Sequence, residues 1–272
     1  MEGPSDECSF GLGYVTNYAV FAPTRFDHEG SGHPAIIPNR RSPVFKISIT
    51  ADYNEQLNNF GDRQRLFESP HNSTFPWPVF VTTIMQTRHD KNVLRKIPRC
   101  PDAHSSFEEL PAETTPNTTA TFDRCGFANR LSRHAAQVIR ELSEFELVLR
   151  GDTPGGDRWM NAMASPNAPI MIAVGDSAAD ALDWLPFKKI IDWESFVVVL
   201  NRKKFQMNPV DELVKVVQQM STSEQESRRL LMRKHHAGID WGAHNTRMPE
   251  NLLLTTADRN CGGYAVISTD GT

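Results

Sequence analysis

The sequence predicts an α/β protein built on a parallel, Rossmann-like sheet. Short apolar runs alternate along the chain with segments of helical periodicity, which favours parallel strands joined by right-handed crossovers. The 18 Pro and 16 Gly residues indicate many loops between these elements.

The N-terminal half contains short apolar runs separated by polar loops. Runs at 14–23 and 35–38 are flanked by Gly and Pro, as buried strands are, and PVFVTTI (78–84) is a β-branched run that predicts another strand. Residues 90–97 predict a helix, and the residues from 98 to 122 predict a long surface loop. Two further segments have weaker patterns: 41–50 alternates weakly, and 52–75 is polar with little periodicity.

The C-terminal half has the more regular alternation. Strands are expected in the apolar runs at 145–150, 168–174 and 196–200. Helices are expected at 129–142, 158–165, 210–220 and 223–239. The last of these is predicted to begin after an N-cap at Ser223, with Glu226 completing a capping box.

Composition excludes several classes of partner. With 29 Lys and Arg against 33 Asp and Glu the net charge is −4, so no basic surplus favours nucleic acid. No run approaches 18 apolar residues, and the N-terminus lacks the charged and apolar regions of a secretory signal, so we expect neither a membrane span nor a signal in this sequence.

The cysteines and the glycosylation triplets bear on the compartment. Cys8, Cys100, Cys125 and Cys261 lie far apart without a CxxC pair, which argues against a zinc ribbon or a redox dithiol. They could form two bridges, but without a secretory context buried thiols are the favoured interpretation. N-x-[ST] triplets begin at Asn72 and Asn117 and give weak support for a lumenal location.

The loop after the strand at 145–150 is the candidate site. FELVLRGDTPGGDRWMNAM (145–163) runs from a strand through a Gly-rich loop into a helix. Ligands bind at the carboxyl ends of parallel strands. The N-terminus of the following helix favours an anion such as a diphosphate. Arg150 and Arg158 could add charge-assisted hydrogen bonds to that anion. Taken alone, the stretch matches neither GxGxxG nor GxxxxGK[ST], and a tight turn with surface arginines explains it equally well.

The order of motifs around this loop resembles the exostosin-like glycosyltransferases. In that family S-K-F-C-L-x-P-R-G-D-T-P-S-S-R-R leads into a helix with E-A-I or D-A-I, followed by G-C-x-P-V, L-P-F and D-W-x-x-F. This chain has SEFELVLRGDTPGGDR at 143–158, PIMI at 169–172 and LPFKKIIDWESF at 185–196. The matching positions are Arg150, Gly151, Asp152, Thr153, Pro154, Arg158, Ala162, Pro169, Leu185, Pro186, Phe187, Asp192, Trp193 and Phe196. The resemblance covers about residues 76–242.

The resemblance implies a GT-B enzyme, in which two Rossmann-like domains face each other across a cleft. It implies inverting transfer of a sugar from a nucleotide-diphosphate sugar to a glycan acceptor. Basic side chains and helix dipoles would neutralise the departing diphosphate, so no metal or other cofactor is expected. Donor binding would involve Arg150, Gly151, Asp152, Thr153, Arg158 and Asn161. The catalytic base stays unassigned, with His28, Glu29 and His33 as candidates by position.

The same resemblance suggests how the chain is divided. Two full Rossmann-like domains, at roughly 150 residues each, would need more than 272 residues. We therefore expect a partial acceptor-side region at 1–75, a donor-binding domain at 76–245 and a C-terminal tail at 246–272. Family membership would imply the Golgi membrane or lumen, although this sequence encodes no anchor.

Departures from the family pattern keep a second function open. Asn161 replaces an acidic residue expected to hold the ribose or sugar, Pro166 and Asn167 replace Gly-Cys, and Asp157 replaces an arginine. A non-catalytic nucleotide-sugar or glycan-binding relative is the alternative to an enzyme. A phosphate-binding α/β protein outside glycosyl transfer is a third possibility.

Several remaining polar and aromatic residues have simpler explanations. Trp193 and Phe187 are expected to pack in the core or at the cleft edge. Asp176 could face the cleft, but an Asp after a strand more often satisfies backbone donors. His235 and His236 are adjacent on a helix, so they are not predicted to chelate a metal together.

Overall fold

The structure of the chain is a computed structural model. The described residues are 42–52, 61–69, 74–84, 97–100, 121–127, 131, 133–150, 158–165, 167–182, 185–236, 238–239, 247, 249–251 and 253–254.

The described residues form a sheet flanked by helices. The strands are β1 (Phe45–Asp52), β2 (Val79–Ile84), β3 (Phe122–Phe127), β4 (Ser143–Val148), β5 (Ile170–Gly175) and β6 (Val198–Asn201). The helices are α1 (Gly61–Glu68), α2 (Arg133–Glu141), α3 (Arg158–Ala164), α4 (Ala178–Leu182), α5 (Arg202–Met207), α6 (Pro209–Gln219) and α7 (Thr222–His236), with a 3-10 turn at Trp193–Ser195.

The strands are all parallel and lie in the order β3-β2-β1-β4-β5-β6. This is the order of a doubly wound Rossmann-like sheet, in which successive strands first extend to one side of β1 and then, from β4, to the other. The prediction of an α/β fold with a parallel sheet is confirmed.

Alternate residues of the central strands are buried on opposite faces of the sheet. On one face, Ile47 of β1 and Phe145 of β4 pack with Leu213 and Val217 of α6. On the other face, Val148 of β4 packs with Trp159 of α3. Met171 and Ala173 of β5 lie in the same cluster as Met232 of α7. Strands covered on both faces read as nearly continuous apolar runs, which is why β2 and β5 could be recognised in the sequence.

The end of the sheet at β3 has an aromatic core. Phe45, Phe80 and Phe122 come from three adjacent strands, and their ring centroids lie 5.1–6.4 Å apart. Val138 and Ile139 of α2 belong to the same buried cluster. This core anchors the edge strand β3 to the centre of the sheet.

Most of the predicted elements that fall on described residues agree with the structure to within a few residues. The apolar positions predicted for α6, Leu213, Val216, Val217 and Met220, lie against the core, as the helical spacing required. The expected strands at 14–23 and 35–38 and most of the expected helix at 90–97 lie outside the described residues.

The predicted cap of the last helix is wrong. Helix α7 begins at Thr222, and Ser221 accepts the hydrogen bond from the Glu224 N–H at 3.2 Å. Ser223 is inside the helix, and Glu226 contacts Arg229 instead of closing a capping box. Both serines match the N-cap pattern, so the local sequence could not separate them.

The sheet also crosses the predicted boundary between residues 75 and 76. Strand β1 and helix α1 come from the region assigned to the acceptor side, yet β1 lies between β2 and β4 at the centre of the sheet. A division at that point would remove a strand that is hydrogen-bonded on both sides. The weak alternation at 41–50 was the only sequence signal for β1.

The preference for free thiols is wrong for two of the cysteines. Cys100 and Cys125 form a disulfide, and both side chains are buried. Cys8 and Cys261 lie outside the described residues. In the described part of the chain, none of the helices is both long and apolar enough to cross a bilayer.

Candidate functional site

The strand order reverses between β1 and β4 at the centre of the sheet, the position at which open α/β sheets have a ligand-binding crevice. Helix α1 follows β1, and its Leu66 packs on the same face as Ile47. Helix α3 follows β4, and its Trp159 packs with Val148 on the opposite face. Because α1 and α3 pack on opposite faces of the sheet, the carboxyl ends of β1 and β4 are the place where ligands bind in open α/β sheets.

Two arginines flank the connection that leaves β4 at this crevice. Arg150 is exposed two residues after the last residue of β4, and the half-buried Arg158 is the first residue of α3. The predicted contacts Gly151, Asp152 and Thr153 lie between them, outside the described residues. Since α3 has only seven residues and a correspondingly small dipole, the positive charge at this connection comes from the two guanidinium groups, while Asp152 and Asp157 in the same stretch of sequence carry negative charge.

Helix α3 also carries the predicted contact Asn161. Residues three apart lie on the same side of a helix, so Asn161 is a neighbour of Arg158 on α3. Asn161 is half-buried, whereas Trp159 and Ala162 are buried in the core below the helix. Arg158 and Asn161 are therefore half-buried neighbours on α3, and one guanidinium nitrogen of Arg158 is buried.

A cluster of ion pairs around Arg202 lies at the same edge of the sheet. Its guanidinium lies 2.7 Å from Asp176, 2.9 Å from Asp180 and 3.5 Å from Asp62. These residues follow β1, β5 and β6, so the cluster joins three connections at the carboxyl ends of the strands. Burial alone would lower the pKa of Arg202, but the charges of the three carboxylates outweigh it and raise that pKa.

The Arg202 cluster is not an anion site. Its three carboxylates and one guanidinium carry a net charge of about −2, and a different carboxylate faces each nitrogen of the guanidinium. Asp176, considered a possible cleft residue, forms an ion pair with Arg202. Its backbone N–H donates to the Asp180 carboxylate at 3.0 Å. Arg150 and Arg158 therefore stay the candidates for binding a phosphate at this edge.

The turn after β5 is closely packed as well as charged. A Cβ at Gly175 would lie 2.6 Å from the Cβ of Ala181, so only glycine fits there without moving α4. The N–H of Asp180 donates to the Ser177 hydroxyl at 3.1 Å, so the Ser177 side chain caps α4. The turn that presents Asp176 and Asp180 to Arg202 is thus held by local contacts.

The L-P-F and D-W-x-x-F motifs form core, as their simplest interpretation predicted. Phe187, Trp193 and Phe196 are 3% exposed or less, and the Trp193 indole N–H donates to the Pro186 carbonyl at 2.8 Å. Phe187 has a φ of 55°, a strained value for a bulky residue that its tight burial compensates. These motifs support the fold around α3 and α7.

The remaining candidates do not form a second site within the described residues. His235 stacks on Phe196 with ring centroids 5.7 Å apart, and burial together with Lys234 lowers its pKa against the opposing effect of Asp192. The described part of the chain contains no group of three or more His, Cys, Asp or Glu side chains that could hold a metal ion. The candidate bases His28, Glu29 and His33 lie outside it.

Sequence reasoning missed Arg202 and Asp62. Arg202 follows directly after β6, and the rule that sites form at the carboxyl ends of parallel strands could have singled it out. Asp62 lies in a segment without helical periodicity, and only the packing of α1 beside α5 brings it to Arg202. The polar pattern of 52–75 carried no signal for that contact.

Comparisons with known proteins find likeness in structure and not in sequence. No family profile matches the chain, and no curated protein matches it in sequence. Among solved structures, the N-terminal domain of trehalose-6-phosphate phosphatase from Candida albicans aligns with a TM-score of 0.43 and 10% identity. The alignment covers 79% of this chain and 42% of that one, so the chain spans less than half of that protein's length.

Proposed function

We propose that this chain is the donor-binding part of a GT-B glycosyltransferase resembling the exostosin family. It would bind a nucleotide-diphosphate sugar at the carboxyl ends of β1 and β4 and transfer the sugar, with inversion, to a glycan acceptor. The observation that carries the proposal is the position of Arg150 and Arg158, on either side of the connection that leaves β4 where the strand order reverses.

The two arginines suit the chemistry of a departing diphosphate. In an inverting transfer an acceptor hydroxyl attacks the anomeric carbon, the bond from that carbon to the diphosphate oxygen breaks, and the hydroxyl proton passes to a base. Negative charge then builds up on the diphosphate, and guanidinium groups can bind its oxygens with paired hydrogen bonds. Arg202 cannot share this task, because its carboxylate partners would repel the diphosphate.

One specific observation favours the alternative of a non-catalytic nucleotide-sugar or glycan-binding relative. Asn161 neighbours Arg158 at the position where the resemblance implies an acidic side chain. An amide can hydrogen-bond to a ribose or sugar hydroxyl but provides no charge. Under this alternative the arginines would still bind the diphosphate, and transfer would not follow.

Binding of the diphosphate is the first experiment. Calorimetry with uridine diphosphate and guanosine diphosphate should detect binding to the wild-type chain. Replacing Arg150 with Ala removes charge-assisted hydrogen bonds and should raise Kd by about 10- to 100-fold. Lys215→Ala, which removes an exposed cation from the middle of α6, is the matched control and should leave Kd unchanged. If neither nucleotide binds, both the enzyme and the alternative are excluded.

Turnover separates the enzyme from the alternative. The chain would be incubated with a panel of radiolabelled nucleotide sugars, with and without oligosaccharide acceptors. Transfer of label supports the enzyme, whereas binding without hydrolysis or transfer supports the non-catalytic relative. Asn161→Glu restores the missing charge and should increase transfer if that charge is what limits it.

The cellular setting that we propose follows from the resemblance. It is the Golgi lumen, where nucleotide sugars and glycan acceptors meet, with the triplets at Asn72 and Asn117 as weak support. Mapping the occupied triplets on the secreted chain would test it.

A further inference from the structure

The outer edge of β3 is covered by a short segment that a disulfide holds in place. β3 is the edge strand of the sheet, and residues 97–100 lie alongside it. The Gly126 N–H donates to the Pro98 carbonyl at 2.8 Å, and the Cys100 N–H donates to the Gly126 carbonyl at 3.0 Å. Cys100 is bonded to Cys125, the residue before Gly126.

The backbone of β3 deviates from a regular strand next to this segment. Arg124 has a φ of 50°, in the left-handed region, and the pairing of β2 with β3 shifts register between Val81 and Thr82. The Arg124 side chain is buried and donates to the Ser69 hydroxyl at 2.7 Å. A bulge and a covering segment are both ways in which proteins prevent an edge strand from pairing with another chain.

The disulfide is poorly accessible to a reductant. Cys100 and Cys125 are 8% and 4% exposed, and they belong to the buried cluster that contains Phe80, Phe122 and Phe127. A thiolate must reach one of the sulfurs to break the bond, so burial among aromatic rings keeps it intact in the folded chain. Regulatory disulfides are instead exposed or strained.

We propose that the Cys100–Cys125 disulfide is a permanent structural bond that keeps residues 97–100 on the edge of β3, and that the chain acquires it by folding in an oxidising compartment. Two thiols lose two protons and two electrons as the S–S bond forms. A protein disulfide oxidant accepts them and becomes a dithiol. This inference does not depend on the proposed function.

The first test is made on the wild-type chain secreted from a eukaryotic host. Free thiols are blocked with N-ethylmaleimide without reductant, and the digest is analysed by mass spectrometry. The Cys100 and Cys125 peptides should be found linked, and a native incubation with dithiothreitol should leave them linked while the same incubation in urea separates them. Blocked thiols at both positions, or rapid reduction of the native chain, would overturn the proposal.

The second test measures what the bond does to the edge. In the Cys100→Ala/Cys125→Ala chain, the amide hydrogens of Gly126 and of residue 100 should exchange at least tenfold faster than in the wild type. The amide hydrogens of β1 and β4 should stay protected. Tm should fall by roughly 5–15 °C, given the 25-residue separation of the cysteines. Unchanged exchange at Gly126 would show that residues 97–100 remain on β3 without the bond, which contradicts the proposed role.

Discussion

At the scale of single residues, a buried ion pair joins α2 and β4. Arg140 binds Glu146 through two hydrogen bonds of 2.7 and 3.2 Å, and both side chains are less than 10% exposed. Burial makes each charge costly without its partner, whereas the pair as a whole contributes little beyond what apolar side chains of similar size would.

Breaking this pair should therefore cost more than removing it. Arg140→Met alone leaves the Glu146 carboxylate buried and should lower the free energy of unfolding by about 3–5 kcal/mol. Arg140→Met combined with Glu146→Leu should recover most of that loss. Urea unfolding of the two variants measures the difference, and equal losses in both would contradict the prediction.

His235 should make stability depend on pH. Its pKa in the folded chain is lower than the ordinary 6.5, mainly because of burial, so below pH 6.5 the unfolded chain binds more protons. Its stabilising contribution is present above that pH and is lost as the pH falls through the folded pKa. Urea midpoints at about pH 7.5 and about pH 5.5 should differ less in His235→Gln than in the wild type. An equal difference between the two midpoints in the wild type and in His235→Gln would show that His235 does not contribute to the pH dependence of stability.

At the scale of elements, the Arg202 cluster ties three connections at the carboxyl edge. It joins the start of α1, the turn before α4 and the start of α5, and Gln206 adds a hydrogen bond to Asp62 at 2.8 Å. Asp62 has 13% of its side chain exposed and Asp176 has 57%. Exposure weakens an ion pair through solvent screening, so the inner contact should contribute more than the outer one.

Substitutions around Arg202 test that ranking. Arg202→Met leaves three carboxylates close together and should destabilise the chain by about 1–3 kcal/mol. Asp176→Asn should cost less than about 1 kcal/mol, and this loss should shrink in high salt. Arg247→Gln is the control, because its pair with Glu250 is exposed on both sides. A larger effect for Asp176→Asn than for Asp62→Asn, measured in urea, would reverse the ranking.

At the scale of the whole molecule, the carboxyl edge of the sheet carries two arginines at the connection to α3 and a net acidic cluster around Arg202. Arg150 and Arg158 flank the connection to α3, whereas the Arg202 cluster joins α1 and α5 on one face of the sheet to α4, which packs on the same face as α3. A diphosphate should therefore bind towards α3. Nucleotide hydroxyl groups would suit the Arg202 cluster, since carboxylates accept hydrogen bonds.

Ligand binding should stabilise the folded chain by mass action. A nucleotide diphosphate at about 100 times its Kd adds about 2.7 kcal/mol, which raises Tm by roughly 5–10 °C. At the same ligand concentration the Arg150→Ala chain should gain less, while Lys215→Ala should gain as much as the wild type. Differential scanning fluorimetry measures these shifts, and an equal gain in Arg150→Ala would move the site away from β4.

The amino-acid sequence by itself determined the elements whose signal is local. β2, β5 and α6 were recognisable because apolar residues recur at the spacing of their own secondary structure, and the parallel sheet followed from the alternation. Arg150 and Arg158 were singled out because they lie on either side of a strand-to-helix loop. Each element, and the pair of arginines, could be found from residues within one short stretch of chain.

The tertiary structure alone decided the rest. β3 (FDRCGF) contains two charged residues and a glycine and is a strand because it pairs with β2 and is bonded to Cys100. Asp62 meets Arg202, and β1 lies at the centre of the sheet, through contacts between segments far apart in sequence. Such contacts are selected by the packing of the whole chain, since many pairings of polar residues and cysteines satisfy the local chemistry equally well and only one fits the folded core.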